Sequence, residues 1–119
     1  MNRVALAGGL FLAMLQLGAA QERLPRVAVI TMGEAGAMAL EDRKLVQQEA
    51  IDVFVADTTG AGDVFCGAFA YAALQRWPLE RALPFANAAA GLTCRSLGAQ
   101  SALPRLQEVV AAAHGGTPR

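Results

Sequence analysis

The chain has 119 residues, a length that suits one domain of modest size. Hydrophobic residues make up 55% of it and charged residues 17%, a balance that argues against a disordered polypeptide. The 10 basic and 10 acidic residues cancel, so neither nucleic acid nor an anionic membrane surface is an expected partner. Two cysteines far apart and a single histidine make zinc chemistry and Ser-His-Asp hydrolysis poor hypotheses.

The N-terminal segment admits two interpretations. One arginine precedes an apolar stretch, and the small residues Gly18 and Ala20 lie where a signal peptidase would cut. The same stretch places leucines at helical spacing, as in an apolar helix of a folded domain, and it is too short and glycine-rich for a membrane span. The predicted division is 1–20 for the apolar helix or signal-like segment, 21–114 for the domain and 115–119 for a tail.

Short strands are expected in the first part of the domain. The β-branched run Arg26–Thr31 predicts a buried strand. Ala37–Leu40 and Leu45–Gln48 flank a polar turn at Glu41–Lys44, which predicts a hairpin. Ile51–Ala56 alternates weakly and predicts a further strand.

Helices are expected in the second part. The predicted helices are Val64–Arg76, Leu79–Leu97 and Pro104–Ala113. Trp77 and Pro78 end the first, Pro84 kinks or restarts the second, and Gly98 stops it. Pro104 suits the first position of the third helix. Strands followed by helices predict an α/β fold, the C-terminal part of an α/β sandwich.

The segment most indicative of chemistry joins the last predicted strand to the first predicted helix. In this D-T-T-G-A-G-D run, the N–H groups of Gly60, Ala61, Gly62 and Asp63 can point at one spot beside a helix N-terminus. Such a concavity suits the charge of a phosphoryl group in transfer, and Asp63 could accept a proton there. No Lys-Ser/Thr pair follows, so the run is not a Walker A loop. An ordinary turn with a first-turn aspartate is the alternative.

The run D-T-T-G-A-G-D-V-F-C-G-A-F from Asp57 to Phe69 resembles the C-terminal signature of the ribokinase-like (PfkB) carbohydrate kinases. The flanking segments agree in order and spacing. Val29–Gly36 resembles the strand and T-x-G-x-x-G of that family, Phe85–Gly91 its alanine-rich helix beside the adenine, and Leu97–Gln100 with Pro104 its closing loop and helix. The resemblance implies the C-terminal portion of a ribokinase-like three-layer α/β/α sandwich, truncated at its N-terminal side.

The resemblance also implies a reaction, the ATP-dependent phosphorylation of a sugar hydroxyl. Asp63 matches the catalytic base that takes a proton from the hydroxyl as it attacks the γ-phosphate. The backbone of Gly60, Ala61 and Gly62 matches the anion hole for the transferring group. ATP and Mg²⁺, with a small sugar as acceptor, are the implied cofactors and substrate.

A second set of matched residues concerns the nucleotide. Thr31, Gly33 and Gly36 match the T-x-G-x-x-G stretch that lies along it, and Asn87 matches the wall of the adenine pocket. Thr31 could instead only cap a strand end, and Asn87 could be a buried amide satisfied by its own hydrogen bonds. Both alternatives stay open.

A monovalent cation is the last implied ligand. Asp57 and the backbone of Thr59 match the start of a K⁺ site that the loop Ser96–Ala102 would complete. A bound K⁺ would help to order the anion hole. For other conspicuous residues a structural role is expected: core packing for Phe65, Phe69, Phe85, Cys66 and Cys94, and a helix-end position for His114.

The chain also departs from the family pattern. The N-x-x-E motif that helps to organise Mg²⁺ and the sugar-binding part are not recognisable in it. Two alternatives to an active sugar kinase therefore remain: a non-catalytic, truncated nucleotide-binding fragment or assembly partner, and a nucleoside kinase of the same family. A homodimer or the missing N-terminal part is the expected partner. ATP chemistry favours the cytoplasm, whereas a signal peptide over 1–20 would imply export.

Overall fold

A computed structural model describes residues 26–98, 100 and 103–114. This part contains a three-stranded antiparallel sheet followed by helices, so the α/β prediction is confirmed. The strands are β1 (Val27–Thr31), β2 (Ala37–Glu41) and β3 (Lys44–Gln48), and the helices are α1 (Ala61–Leu74), α2 (Leu79–Thr93) and α3 (Leu106–Ala113). The segments predicted over 1–20 and 115–119 lie outside the described residues. Within the described ranges, no helix is long and apolar enough to cross a membrane.

The predicted hairpin is confirmed, and β2 is its central strand. Glu41 pairs with Lys44 across a two-residue turn, and β2 also pairs with β1. The turn residues Asp42 and Arg43 have φ angles of 47° and 68°. Left-handed conformations at both positions are those of the tight hairpin turn whose twist matches its strands.

A short 3₁₀ turn, Gly33–Ala35, joins β1 to β2 and brings Gly36 against the end of β3. The Met32 N–H donates to the Gly36 carbonyl at 2.8 Å. Gly36 has a φ of 91°, and a Cβ at this position would lie 2.0 Å from the Gln48 carbonyl oxygen. Both the backbone conformation and the close approach therefore require glycine here.

Helix α1 begins earlier than the sequence pattern predicts, at Ala61 instead of Val64. Gly60 precedes it with a φ of 80°, and the next three residues are already helical. The Asp63 side chain thus lies in the first turn, as expected. At the other end, α1 ends at Leu74, two residues before the predicted Arg76, and Arg76 itself is left-handed (φ 56°) and reverses the chain.

Helix α2 contains Pro84 within one continuous helix, so of the two predicted alternatives, a kink or a restart, the restart is wrong. The helix ends at Thr93, before the predicted Leu97. A longer helix would need the Gly98 N–H to bond the Cys94 carbonyl. Instead the Gly98 N–H donates to the Asp57 carboxylate at 3.1 Å. The Cys94 carbonyl in turn accepts the Ala56 and Asp57 N–H groups, partners that the local sequence does not reveal.

Helix α3 begins at Leu106, so Pro104 is not its first residue as predicted. Arg105 holds the N-cap position in an extended conformation, and its N–H donates to Glu108 Oε2 at 2.7 Å. The acidic side chain thus satisfies a backbone donor that precedes the first turn. His114 lies at the C-cap, the helix-end position expected for it.

The strand predicted over Ile51–Ala56 is wrong for the described part of the chain. A strand needs a hydrogen-bonded neighbour. The sheet of the described residues contains only β1, β2 and β3, and none of them pairs with this segment. The Ala56 N–H bonds the Cys94 carbonyl instead, at 2.8 Å.

The core has two parts that share α2. One lies between α2 and its neighbours α1 and α3, and the other lies between the sheet and helices α1 and α2. Phe65 and Phe85 are buried in these clusters, and Cys94 is buried too, as predicted. The prediction for Cys66 is wrong, because this thiol is exposed. It follows Phe65 by one residue, about 100° around α1 and off the buried stripe.

The requirement for glycine at position 36 can be tested by comparing its substitution with that of a glycine that has free space around it. We expect Gly36→Ala to lower the free energy of unfolding by about 1–3 kcal/mol, because it forces a left-handed alanine against a backbone carbonyl. Gly67→Ala is the control, since a Cβ on this α1 residue meets nothing within 4 Å. It should raise stability by about 0.5–1 kcal/mol. Urea denaturation of both variants measures the difference, and equal stability would contradict the requirement.

Candidate active site

The loop before α1 is organised by the carboxylate of Asp57. Its Oδ1 accepts hydrogen bonds from the Thr59 hydroxyl at 2.6 Å and the Thr59 N–H at 2.9 Å. Its Oδ2 accepts the Gly98 N–H at 3.1 Å. These bonds favour the ionised form, the Thr59 hydroxyl foremost, and hold the pKa of Asp57 below its usual value. The side chain therefore acts as a brace between two loops.

The backbone of the same residue is held as well. The N–H groups of Ala56 and Asp57 donate to the Cys94 carbonyl at 2.8 and 3.2 Å. Cys94 is the C-cap of α2, and its thiol lies 3.4 Å from the Ala90 carbonyl. The loop that enters α1 is thus tied to the end of α2 through both the backbone and the side chain of Asp57.

The N-terminus of α1 provides backbone donors. The Ala61 N–H donates to the Thr58 carbonyl at 3.2 Å, so it is engaged within the loop. Across the described residues, the N–H groups of Gly62 and Asp63 have no backbone acceptor. Free donors at a helix N-terminus attract anions. Of the four predicted N–H donors, those of Gly60, Gly62 and Asp63 have no backbone acceptor among the described residues and are available to a ligand, whereas that of Ala61 is already bonded.

The Asp63 carboxylate is exposed and lines a groove of about 620 Å³ between the three helices. Apart from Asp63, Tyr71 and Gln100, the residues that line this groove are glycine or apolar: Gly60, Val64, Gly67, Ala68, Phe85, Ala89, Leu103, Pro104, Leu106 and Val109. A carboxylate and free N–H groups thus stand at an otherwise apolar groove. Here a carboxylate could accept a proton next to a bound anion.

Most residues of this groove carry no chemical group that marks them in the sequence. Gly60, Val64, Gly67 and Tyr71 recur at intervals of three or four, which places them on one face of α1. This spacing was the one feature of the sequence that could have indicated a shared groove-lining face. The Cys94 carbonyl was also missed, and no side-chain pattern could have revealed it, because any residue carries a backbone carbonyl.

The residues predicted to contact the nucleotide lie elsewhere. Thr31 ends β1 and Gly33 belongs to the 3₁₀ turn, and both are exposed. Neither of them lines the groove at Asp63, and neither do Gly36 and Asn87. The structure therefore places the predicted site residues in two groups, one at the start of α1 and one at the hairpin.

Asn87 joins α2 to the end of β3. Its side chain is 7% exposed, and its Nδ2 donates to the carbonyls of Gln48 at 3.2 Å and Glu49 at 2.9 Å. The Gln48 carbonyl is also the group that Gly36 approaches closely. These bonds support the interpretation of Asn87 as a satisfied buried amide. Its place in an adenine pocket stays a prediction.

Metal ligands are not evident in the described part of the chain. Within it, no group of three or more His, Cys, Asp or Glu residues is placed to hold a metal ion. Mg²⁺ bound together with ATP stays a prediction. The K⁺ site at Asp57 and Thr59 stays a prediction, with the two side chains bonded to each other at 2.6 Å.

An aspartate beside free N–H groups at a helix N-terminus is an arrangement that suits a phosphoryl group in transfer. The model of the pfkB family carbohydrate kinases matches residues 13–106, and this chain belongs to that family. The match begins inside the apolar segment that the sequence analysis delimited at 1–20.

Several of the similar proteins are ribokinases. The ribokinase of Bacillus subtilis is 42% identical over 85 residues, which cover 71% of this chain and 29% of that protein. The structure of Arabidopsis thaliana ribokinase complexed with ribose and ATP has a TM-score of 0.69 and 33% identity, covering 74% of this chain and 29% of the other. A candidate ribokinase II from Escherichia coli in complex with ATP and Mg²⁺ has a TM-score of 0.69 and 29% identity, covering 72% and 28%. The ribokinase-like fold is thereby confirmed, and the chain spans under a third of these relatives.

The contribution of Asn87 can be measured. Asn87→Ala removes the donor that two backbone carbonyls share, so we expect the free energy of unfolding to fall by about 1–3 kcal/mol. Gln47→Ala, at an exposed position of β3, is the control and should change stability by about 0.5 kcal/mol or less. Chemical denaturation provides both values, and similar losses in the two variants would argue against the bridge.

The brace at Asp57 should depend on pH. Its pKa is lowered in the folded protein, so its stabilisation is present above the ordinary value of 3.8 and disappears as the pH falls through the folded-state pKa. The stability difference between the wild-type protein and Asp57→Asn should therefore be largest near neutral pH and shrink below 3.8. Thermal denaturation of both proteins across this range measures it. A difference that is independent of pH would contradict the brace.

Proposed function

We propose that the chain carries the phosphoryl-transfer part of an ATP-dependent sugar kinase. The observation behind this proposal is the pairing of the exposed Asp63 carboxylate with the free N–H groups of Gly62 and Asp63 at the start of α1. Family membership supports it. ATP as the donor would place the reaction in the cytoplasm.

In the proposed reaction, Asp63 accepts the proton of a sugar hydroxyl while the hydroxyl oxygen attacks the γ-phosphorus of ATP. A new oxygen–phosphorus bond forms, the bond to the β-phosphate oxygen breaks, and ADP leaves with its electron pair. The N–H groups of Gly62 and Asp63 face the charge on the transferring group. Asp57 holds this helix N-terminus in place through Thr59 and Gly98.

The acceptor and the metal are separate parts of the proposal. The Arabidopsis thaliana neighbour is complexed with ribose and ATP, which supports a pentose as the first acceptor to examine. A nucleoside is the alternative acceptor. Mg²⁺ accompanying ATP is part of the proposal, and no step is routed through it. K⁺ is proposed only at Asp57 and Thr59.

A second candidate is a non-catalytic nucleotide-binding chain. The observation in its favour is that the chain spans 28–29% of the relatives described above. Titration with a non-hydrolysable ATP analogue separates the two candidates when it is combined with an assay for ADP release. Binding without release in the presence of ribose or nucleosides favours the second candidate.

The catalytic role of Asp63 has a matched test. Asp63→Asn keeps the shape of the side chain but removes the base, so we expect ADP release with the active acceptor to fall by about 10²–10⁴-fold while analogue binding is retained. Asp42→Asn is the control, because it removes a carboxylate from the exposed hairpin turn and asparagine tolerates the left-handed conformation there. The assignment fails if Asp63→Asn turns over like Asp42→Asn.

A further inference from the structure

A second cavity lies between the start of α2 and the end of α3. We call it the α2–α3 pocket. Its volume is about 320 Å³, at the lower end of the range in which proteins hold small molecules. Of its lining residues, Phe85 alone also lines the groove at Asp63. The pocket is therefore a separate place for a small ligand, on the far side of Phe85 from the proposed reaction.

The walls of the α2–α3 pocket are mostly apolar. The rings of Trp77 and Phe85 meet edge to face, with their centroids 5.2 Å apart and an interplanar angle of 87°. Phe85 is 5% exposed and belongs to the core, so packing fixes this wall. Pro84 of α2 and Val110 of α3 add aliphatic surface. Such walls favour a ligand with an apolar body, because the contact removes apolar surface from water.

One cationic side chain of the pocket is held in place and keeps its donors. The guanidinium carbon of Arg81 lies 3.8 Å from the centroid of the Trp77 ring, a cation–π contact. A guanidinium that stacks on an aromatic ring still presents its N–H groups in its own plane. Among the described residues, no carboxylate pairs with Arg81. Its donors are therefore available to a ligand with two coplanar oxygens, as in a carboxylate.

The other charges around the pocket cancel. Glu80 also lines it, but its carboxylate forms an ion pair with Lys44 of β3. The start of α2 carries roughly half a positive charge and the end of α3 roughly half a negative charge, which offset each other. The uncompensated charge is thus that of Arg81. His114, at the C-cap of α3, adds an imidazole that can donate a hydrogen bond.

We propose that the α2–α3 pocket binds a small organic carboxylate with an apolar body. The carboxylate pairs with the Arg81 guanidinium, and the body lies against Phe85 and Val110. Inorganic phosphate or a short carboxylate would use the charge and leave the apolar walls in contact with water. A neutral apolar molecule would leave the guanidinium donors unused. The inference goes beyond the proposed reaction and does not depend on it.

The first test uses the fluorescence of Trp77, which is the only tryptophan of the chain. Titration of the full chain with hydrocinnamate should change this fluorescence in a saturable manner, and calorimetry should find one site per chain. The neutral amide of the same acid lacks the charge, and acetate lacks the apolar body. Each should bind roughly tenfold or more weakly than hydrocinnamate. An unsaturable response, or equal affinity for the amide or for acetate, overturns the proposal.

A charge variant locates the carboxylate. Arg81→Gln should weaken hydrocinnamate binding roughly tenfold or more, because it removes the cation and the paired donors. Arg26→Gln is the control: it removes the same charge from an exposed residue outside the pocket, and should bind as the wild type does. Calorimetry measures both variants, since the change at Arg81 also alters the surroundings of Trp77. Circular dichroism verifies their helices, and equal affinity in the two variants overturns the proposal.

A variant on the opposite wall tests the same contact from α3. Val110→Asp introduces a carboxylate that can pair with Arg81 and repels the ligand, so binding should weaken roughly tenfold or more. Gln107→Asp adds the same charge at an exposed residue of α3 outside the pocket and should bind normally. Equal affinity in these two variants overturns the proposal. None of the measurements uses ATP, so failure of this site and failure of the proposed phosphoryl transfer are distinguishable.

Discussion

Burial of α2 from opposite sides is the constraint on which the rest of the structure depends. Its residues contribute to both parts of the core, with Leu83 and Thr93 fully buried. Complete burial of a leucine side chain contributes roughly 1.5–3 kcal/mol. The Thr93 hydroxyl is satisfied by the Ala89 carbonyl at 2.9 Å, so its burial leaves no unpaired donor. The many alanines of this helix let the sheet and the other helices approach closely.

The candidate site derives its geometry from the end of this helix. The Cys94 carbonyl holds the backbone at Asp57, and the Asp57 carboxylate then holds Thr59 and Gly98. The two aspartates of this motif therefore differ in their hydrogen bonding and exposure. Asp57 has hydrogen-bond donors on both oxygens, whereas Asp63 is exposed at the groove and belongs to the proposed chemistry. The brace at Asp57 thus connects the loop before α1 to the end of α2.

Local patterns predicted much of this architecture. Apolar runs on either side of Glu41–Lys44 identified the hairpin, because a polar turn between such runs has few other solutions. The glycine-bearing run before α1 identified the site, because its residues are consecutive in the chain. The structural role of Asn87 could be stated only as one of two alternatives, since its backbone acceptors lie 38 and 39 residues away in sequence.

The sequence by itself determined the α/β class, the hairpin, the approximate helices and the family to which the motif belongs. Tertiary structure alone decided that α2 ends at Thr93, that the Ala61 N–H is engaged while Gly62 and Asp63 remain free, and that 51–56 pairs with no described strand. The physical reason is the same in each case. Periodicity and turn residues report on burial and local conformation, whereas a hydrogen-bond partner distant in sequence exists only once the helices and sheet have packed.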